Sequence, residues 1–265
     1  MKNEKIQIAD NSLYSIETIE RVAIIKFKSD APLEELYKLE NSNTYFVDDL
    51  GKLSGSDIST RLFIFSRDIF SEERFNEFFG TIKLASNEKI DFLSLESNIR
   101  FIEFDRFINI KHRFIMDILE SNKLNIFALE GSSIGLWLST MLSGDFSILS
   151  QNSQFTFPFI NDDILPLGGL IYYLDQYVNK AALDELLMLG NPISADDLLK
   201  WGLVNRVFLS DSFEDESVKL ALEISDKSDF YIRNIRFCKH RLKRRLMESL
   251  DLEREFYVSR GYRRF

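Results

Sequence analysis

The order of apolar runs in this chain predicts an α/β fold. Three observations carry that expectation. Short runs rich in β-branched residues alternate with longer stretches whose apolar residues recur at helical spacing. The composition is that of a globular protein: 45% of the 265 residues are hydrophobic and 28% are charged, which leaves ample apolar material for a core. Neither a linker nor a low-complexity tract interrupts the alternation, and beyond about Glu214 only helical patterns remain.

Taken in order, RVAIIKFK (21–28) reads as a strand and RLFIFS (61–66) as a second, with helical spacing between them and a turn-like SGSD before the second. SEERFNEFFGTI (71–82) opens on Ser71 followed by acids, which suits a helix N-terminus. RFINIKHRFIMDILES (106–121) has the pattern of an amphipathic helix, and LNIFALEG (124–131) that of a short buried strand ending in glycine. A helix is expected from Gly131 to about Ser143, then the strands DFSILS and QFTFPF. NKAALDELLMLG (179–190) is a helix stopped by glycine. SADDLLKWG repeats the device, with Ser194 three residues before Asp197 as a variant capping box. LVNRVF (203–208) is a further strand, and the 24 phenylalanines should make parts of the core phenylalanine-rich.

The net charge of −9 argues against nucleic acid or an anionic membrane as the main partner. Lone Cys238 excludes an intramolecular disulfide framework and fits a reducing, cytoplasmic setting. No run reaches the roughly 18 apolar residues of a membrane span, and MKNEKIQIADN is not a secretory signal. With two histidines and one cysteine, neither a His/Cys metal site nor a Cys–His dyad has support. His112, on the amphipathic helix, and His240, in the basic run RNIRFCKHRLKRR, read as surface residues. That run is either a solvated or subunit-facing helix side, or a contact for the phosphates of a ligand.

From Leu124 onward the chain resembles the crotonase superfamily, the enoyl-CoA hydratase/isomerase family. LMLGNPISADDLLKWGLVNRVF (187–208) is similar to that family's Gly-x-x-Ile-Ser-Ala and Gly-Leu-Val-Asn region. FALEGSSIG, SGDFSILSQNSQFTFP and LPLGG follow its other signatures in order. The resemblance implies a crotonase-like spiral of ββα units over 1–205 and a helical C-terminal oligomerisation region over 206–265, assembling as a trimer or hexamer. It implies an acyl thioester as substrate, on coenzyme A or an acyl-carrier protein. No separate cofactor is expected, since CoA or phosphopantetheine is part of the substrate. The thioester carbonyl would be polarised by the backbone N–H groups of Glu72 and Leu136. Phe75, Gly135, Trp137, Phe159 and Pro166 would line the acyl site.

The chain also departs from the family pattern. The two glutamates of hydratases align with Ser139 and Phe159, and a phenyl ring cannot move a proton. The glycines expected after Gly135 are Leu136 and Trp137, and the early loop carries Glu72, Glu73 and Phe75. Asp162 and Asp163 are either displaced acids or a solvated turn. Asp145 matches a structural position. Ser139 either donates to an acyl group or bonds its own helix backbone. Two readings follow. One is a divergent isomerase- or decarboxylase-like enzyme with a backbone oxyanion hole. The other is an inactive assembly or thioester-sensing module.

Overall fold

The computed structural model describes residues 5–28, 49–50, 52–53, 57–65, 108–109, 111–157, 165–239 and 243–262. Among the described residues the main sheet has seven strands in the order β1-β2-β3-β4-β5-β7-β10. β1 (Ile6–Asp10), β2 (Tyr14–Ile19) and β3 (Val22–Phe27) form an antiparallel meander. β3, β4 (Thr60–Phe65), β5 (Leu124–Leu129), β7 (Phe146–Ser150) and β10 (Arg206–Phe208) then run parallel. A second sheet has the order β6-β8-β9, from Ser132–Ile134, Gln154–Thr156 and Ile193–Ser194. After each of β5 and β7 the chain steps into this smaller sheet, so successive ββ pairs wind as a spiral with helices outside. The α/β expectation is met.

Parallel strands covered on both faces need apolar residues at every position. β5 is buried throughout, which is why its sequence does not alternate. One face of the sheet carries a phenylalanine ladder. Phe27 stacks on Phe65 at 5.0 Å, and Phe63 stacks on Phe127 at 4.9 Å.

Helix α1 (108–120, residue 110 outside the described residues) turns Ile108, Lys111, Ile115 and Ile118 inward, a stripe at helical spacing with one cation in it. Helix α2 is Gly135–Ser143, α3 Leu170–Tyr177, α4 Lys180–Leu189 and α5 Ala195–Lys200. The last three, α6 (Phe213–Ser225), α7 (Asp229–Lys239) and α8 (Lys243–Tyr262), make the C-terminal part helical as expected. Caps follow the sequence signals: the Asn179 side chain accepts from Ala182 N, and Ser194 from Asp197 N.

Some elements differ from expectation. β1, β2 and α3 carry no strong local signal in the sequence. Residues 132–134 are a strand, so α2 begins at Gly135, because Ser132–Ile134 pairs with Gln154–Thr156 before the helix can start. The strand expected over 203–208 shortens to Arg206–Phe208, since Leu203 N bonds back to Leu198 O and Asn205 N to Ser147 O. The helix expected at 71–82, and most of the one before β4, lie outside the described residues.

Candidate functional site

The carboxyl ends of parallel strands are where open α/β sheets place ligands. At the ends of β4 and β5 the chain turns through β6 into α2. Gly135 allows that start: a Cβ there would stand 2.6 Å from Phe157 Cε1, so the helix could not enter so close to β8 with any side chain. α2 has no side-chain cap, and Leu136, at its second position, donates no backbone hydrogen bond to any described residue. An uncapped N–H at the positive end of a nine-residue helix is a donor available for a carbonyl oxygen. The Leu136 side chain is fully buried and anchors that turn in the core.

Trp137 follows, 5% exposed, with its ring 6.0 Å from that of Phe65 at the end of β4. Lys111 Nζ sits 3.4 Å from the centroid of the Trp137 ring. A desolvated cation–π contact of this kind is worth about 2 kcal/mol. Lys111 is 1% exposed, so its side chain is buried against the first turn of α2. Sequence reasoning missed Lys111, although it occupies a buried position of the 108-111-115-118 stripe.

Ser139 lies one turn further along α2, fully buried, and donates to Leu136 O at 2.6 Å. Of the two alternatives open for Ser139, this geometry is the helix-internal bond. Gly168 covers it: a Cβ on Gly168 would lie 2.5 Å from Ser139 Oγ and 3.1 Å from Ile115 Cδ1. Pro166 is buried in the same approach to α3.

Immediately behind that glycine is a carboxylate with no local signal in the sequence. Glu253, from α8, is 5% exposed; its Oε2 accepts from Gly168 N at 2.8 Å and its Oε1 from Gly169 N at 2.7 Å. It thereby caps α3 from a distant helix, and charge-assisted bonds of this kind contribute about 1.5–3 kcal/mol each. His112 Nε2 lies 3.1 Å from the same Oε2. The surface reading of His112 is therefore corrected: its side chain is 13% exposed and tied to a buried acid. Tyr173, one turn into α3, is 8% exposed, and its hydroxyl has no hydrogen-bond partner among the described residues. Burial, and then its tyrosine and Glu253 neighbours, push its phenol far up, so it stays a neutral donor.

Glu72, Phe75, Phe159, Asp162 and Asp163 lie outside the described residues. Asp145 is structural: its Oδ2 accepts from Asn125 N at 2.9 Å and pairs with Arg236. A polar cleft of about 340 Å³, lined by Arg61, Asp117, Glu120, Ser121, Asn122 and Lys123, opens at the opposite, amino end of β4 and β5. Among the described residues no group of three His, Cys, Asp or Glu side chains is placed to hold a metal, and no helix is long and apolar enough to cross a membrane.

Comparison with known proteins agrees with this architecture. The chain is 28% identical over 118 residues to the carnitinyl-CoA dehydratase of Salmonella agona, covering 44% of this chain and 45% of that protein. The match thus spans less than half the length of the curated relatives. An enoyl-CoA hydratase from Bacillus halodurans superposes with a TM-score of 0.72 at 17% identity, over 93% of this chain and 94% of that one. A methylmalonyl-CoA decarboxylase in complex with 2-nitronate-propionyl-CoA superposes with a TM-score of 0.63 at 22% identity, over 95% and 92%. These structures share the crotonase-like spiral. The sequence model of the enoyl-CoA hydratase/isomerase family matches residues 108–261, more than half of the chain, and the protein belongs to that family.

Proposed function

We propose that the protein binds an acyl thioester, of CoA or of a carrier protein's phosphopantetheine arm, and stabilises negative charge on the thioester oxygen through the backbone N–H of Leu136. The observation that carries this reading is the uncapped start of α2 at Gly135, held at the carboxyl edge of the sheet with that N–H free of any described partner. A backbone donor survives side-chain change as long as the turn survives, and one such donor is worth about 2.7–4 kcal/mol in a protease. Glu72 N–H is the second donor in this proposal. Reactions that need chiefly a stabilised enolate, isomerisation or decarboxylation, fit better than hydration by the two-glutamate route. Ser139 and Phe159 cannot perform that route.

A second reading, a thioester-sensing or assembly module, draws on Trp137, which is 5% exposed and packs where relatives carry glycine. In either reading the C-terminal helices serve oligomerisation. Phe230, Tyr231, Ile235, Met247 and Leu252 of α7 and α8 are exposed apolar residues suited to a trimer or hexamer interface.

Calorimetric titration with butyryl-, crotonyl- and longer acyl-CoAs, against free CoA, tests the reading. Saturable binding that favours the acyl forms is expected. Absence of heat with every CoA from folded protein excludes CoA thioesters. A phosphopantetheinylated carrier protein bearing the same acyl groups then decides between a carrier substrate and no thioester site.

A further inference from the structure

We propose that His112 is the proton-transferring catalytic residue of this site and Glu253 its positioning residue, so that helix α8 completes what Ser139 and Phe159 do not supply. The inference rests on the thioester reading above and deepens it by naming the acid–base group.

The placement comes from three contacts. Gly168 joins the two halves of the site: its Cα packs on Ser139, the position of the missing glutamate, while its N–H donates to Glu253 Oε2. The same oxygen faces His112 Nε2 at 3.1 Å. Ile115, one turn after His112 on α1, contacts the Gly168 position, so that face of α1 is turned toward the start of α3. Gly168 therefore lies between the Ser139 position on one side and the Glu253–His112 pair on the other, although the acid is absent from α2 itself.

The chemistry follows from the hydrogen bonds. Each Glu253 oxygen accepts a backbone N–H, Oε2 from Gly168 and Oε1 from Gly169. Where the Glu253 carboxylate accepts from His112, Nε2 carries a hydrogen, and in the neutral ring the lone pair is then on Nδ1. Nδ1 makes no hydrogen bond to any described residue. A carboxylate that fixes one ring nitrogen and leaves the other as the base is the orienting logic of catalytic dyads. One further polar group is near: the Tyr173 ring stands beside Gly169, where a Cβ would meet it at 3.7 Å, and its hydroxyl has no partner among the described residues.

In the step assigned to it, Nδ1 takes a proton from the carbon next to the thioester carbonyl. That C–H bond breaks, an N–H bond forms, and the electron pair moves into an enolate whose oxygen is held by Leu136 N–H. Return of the proton to the same carbon restores the thioester. Return at the γ-carbon of an unsaturated chain moves its double bond. No further reactant is needed.

The test is hydrogen exchange with butyryl-CoA in heavy water, read by mass spectrometry. Wild type is expected to place deuterium at Cα. His112→Gln should lose about 100-fold in exchange rate while its calorimetric affinity for butyryl-CoA stays the same. Free imidazole should restore exchange to His112→Ala. In Glu253→Gln the imidazole ¹⁵N spectrum should change from the single Nε2–H tautomer to a mixture, with slower exchange and unchanged affinity; a merely structural Glu253 would leave the tautomer alone. Binding without exchange, or exchange that survives His112→Gln, overturns the assignment and leaves the thioester reading standing. Absence of binding overturns both.

Discussion

Ser139 and Gly168 meet so closely that neither can change without the other. Gly168 adopts φ +72°, and any Cβ there would lie 2.5 Å from Ser139 Oγ, itself held in its bond to Leu136 O. Alanine at 168 is therefore strained twice, by the backbone and by the clash, and it would also disturb the N–H that meets Glu253. Gly168→Ala should destabilise the protein by more than about 1 kcal/mol, measured as a lowered urea midpoint at unchanged slope. Serine, with its small hydroxyl, is what allows α3 to approach α2 at this point. Some of this was legible in the sequence and some was not. Loss of the acids is visible at Ser139 and Phe159, and Lys111 could have been found as a charge inside an apolar stripe. Glu253 could not: it meets His112 across 141 residues, and no spacing rule connects two helices so far apart.

At the scale of elements, local signals are reliable where the chain's own chemistry decides the outcome. Asn179 and Ser194 cap the helices that their positions predict, and Phe63, Phe65 and Phe127 stack as a phenylalanine-rich core requires. They fail where pairing decides. β1 is largely exposed and lies at the sheet's edge, so its residues carry no core pattern, and β6 exists only because β8 is beside it. The C-terminal helices attach through specific polar contacts as well as apolar packing. Arg236 of α7 reaches Asp145 before β7, the Lys123 carbonyl before β5, and Ile118 O on α1 at 3.1 Å. Burial lowers the Arg236 pKa while Asp145 opposes the shift, the signature of a desolvated pair. Arg236→Met should cost about 3 kcal/mol, because the half-buried Asp145 is left without its cation. Chemical denaturation of the variant measures that loss. A loss below a third of that figure would show that apolar packing alone attaches α7.

For the whole molecule, fold and site separate cleanly. The spiral, with its parallel strands and second small sheet, is the family's, and the stretch from Leu124 to Phe208 carried enough of its signatures to be read from the sequence. In the proposal above, the acid–base group is not where the family resemblance puts it. In the proposed site the reacting carbonyl is held by backbone, the part least open to substitution, while proton transfer falls to His112 on α1, positioned by Glu253 on α8. The central claim is the polarised thioester carbonyl, and vibrational spectroscopy observes that bond directly. The measurement is the difference infrared or Raman spectrum of butyryl-CoA labelled with ¹³C at the carbonyl, bound against free. A carbonyl stretch moved to lower frequency on binding is the predicted result, because donors aimed at the oxygen weaken the C=O bond. A bound thioester whose stretch is that of the free ligand in water would contradict the claim, and would leave the protein as a module that holds acyl groups without activating them.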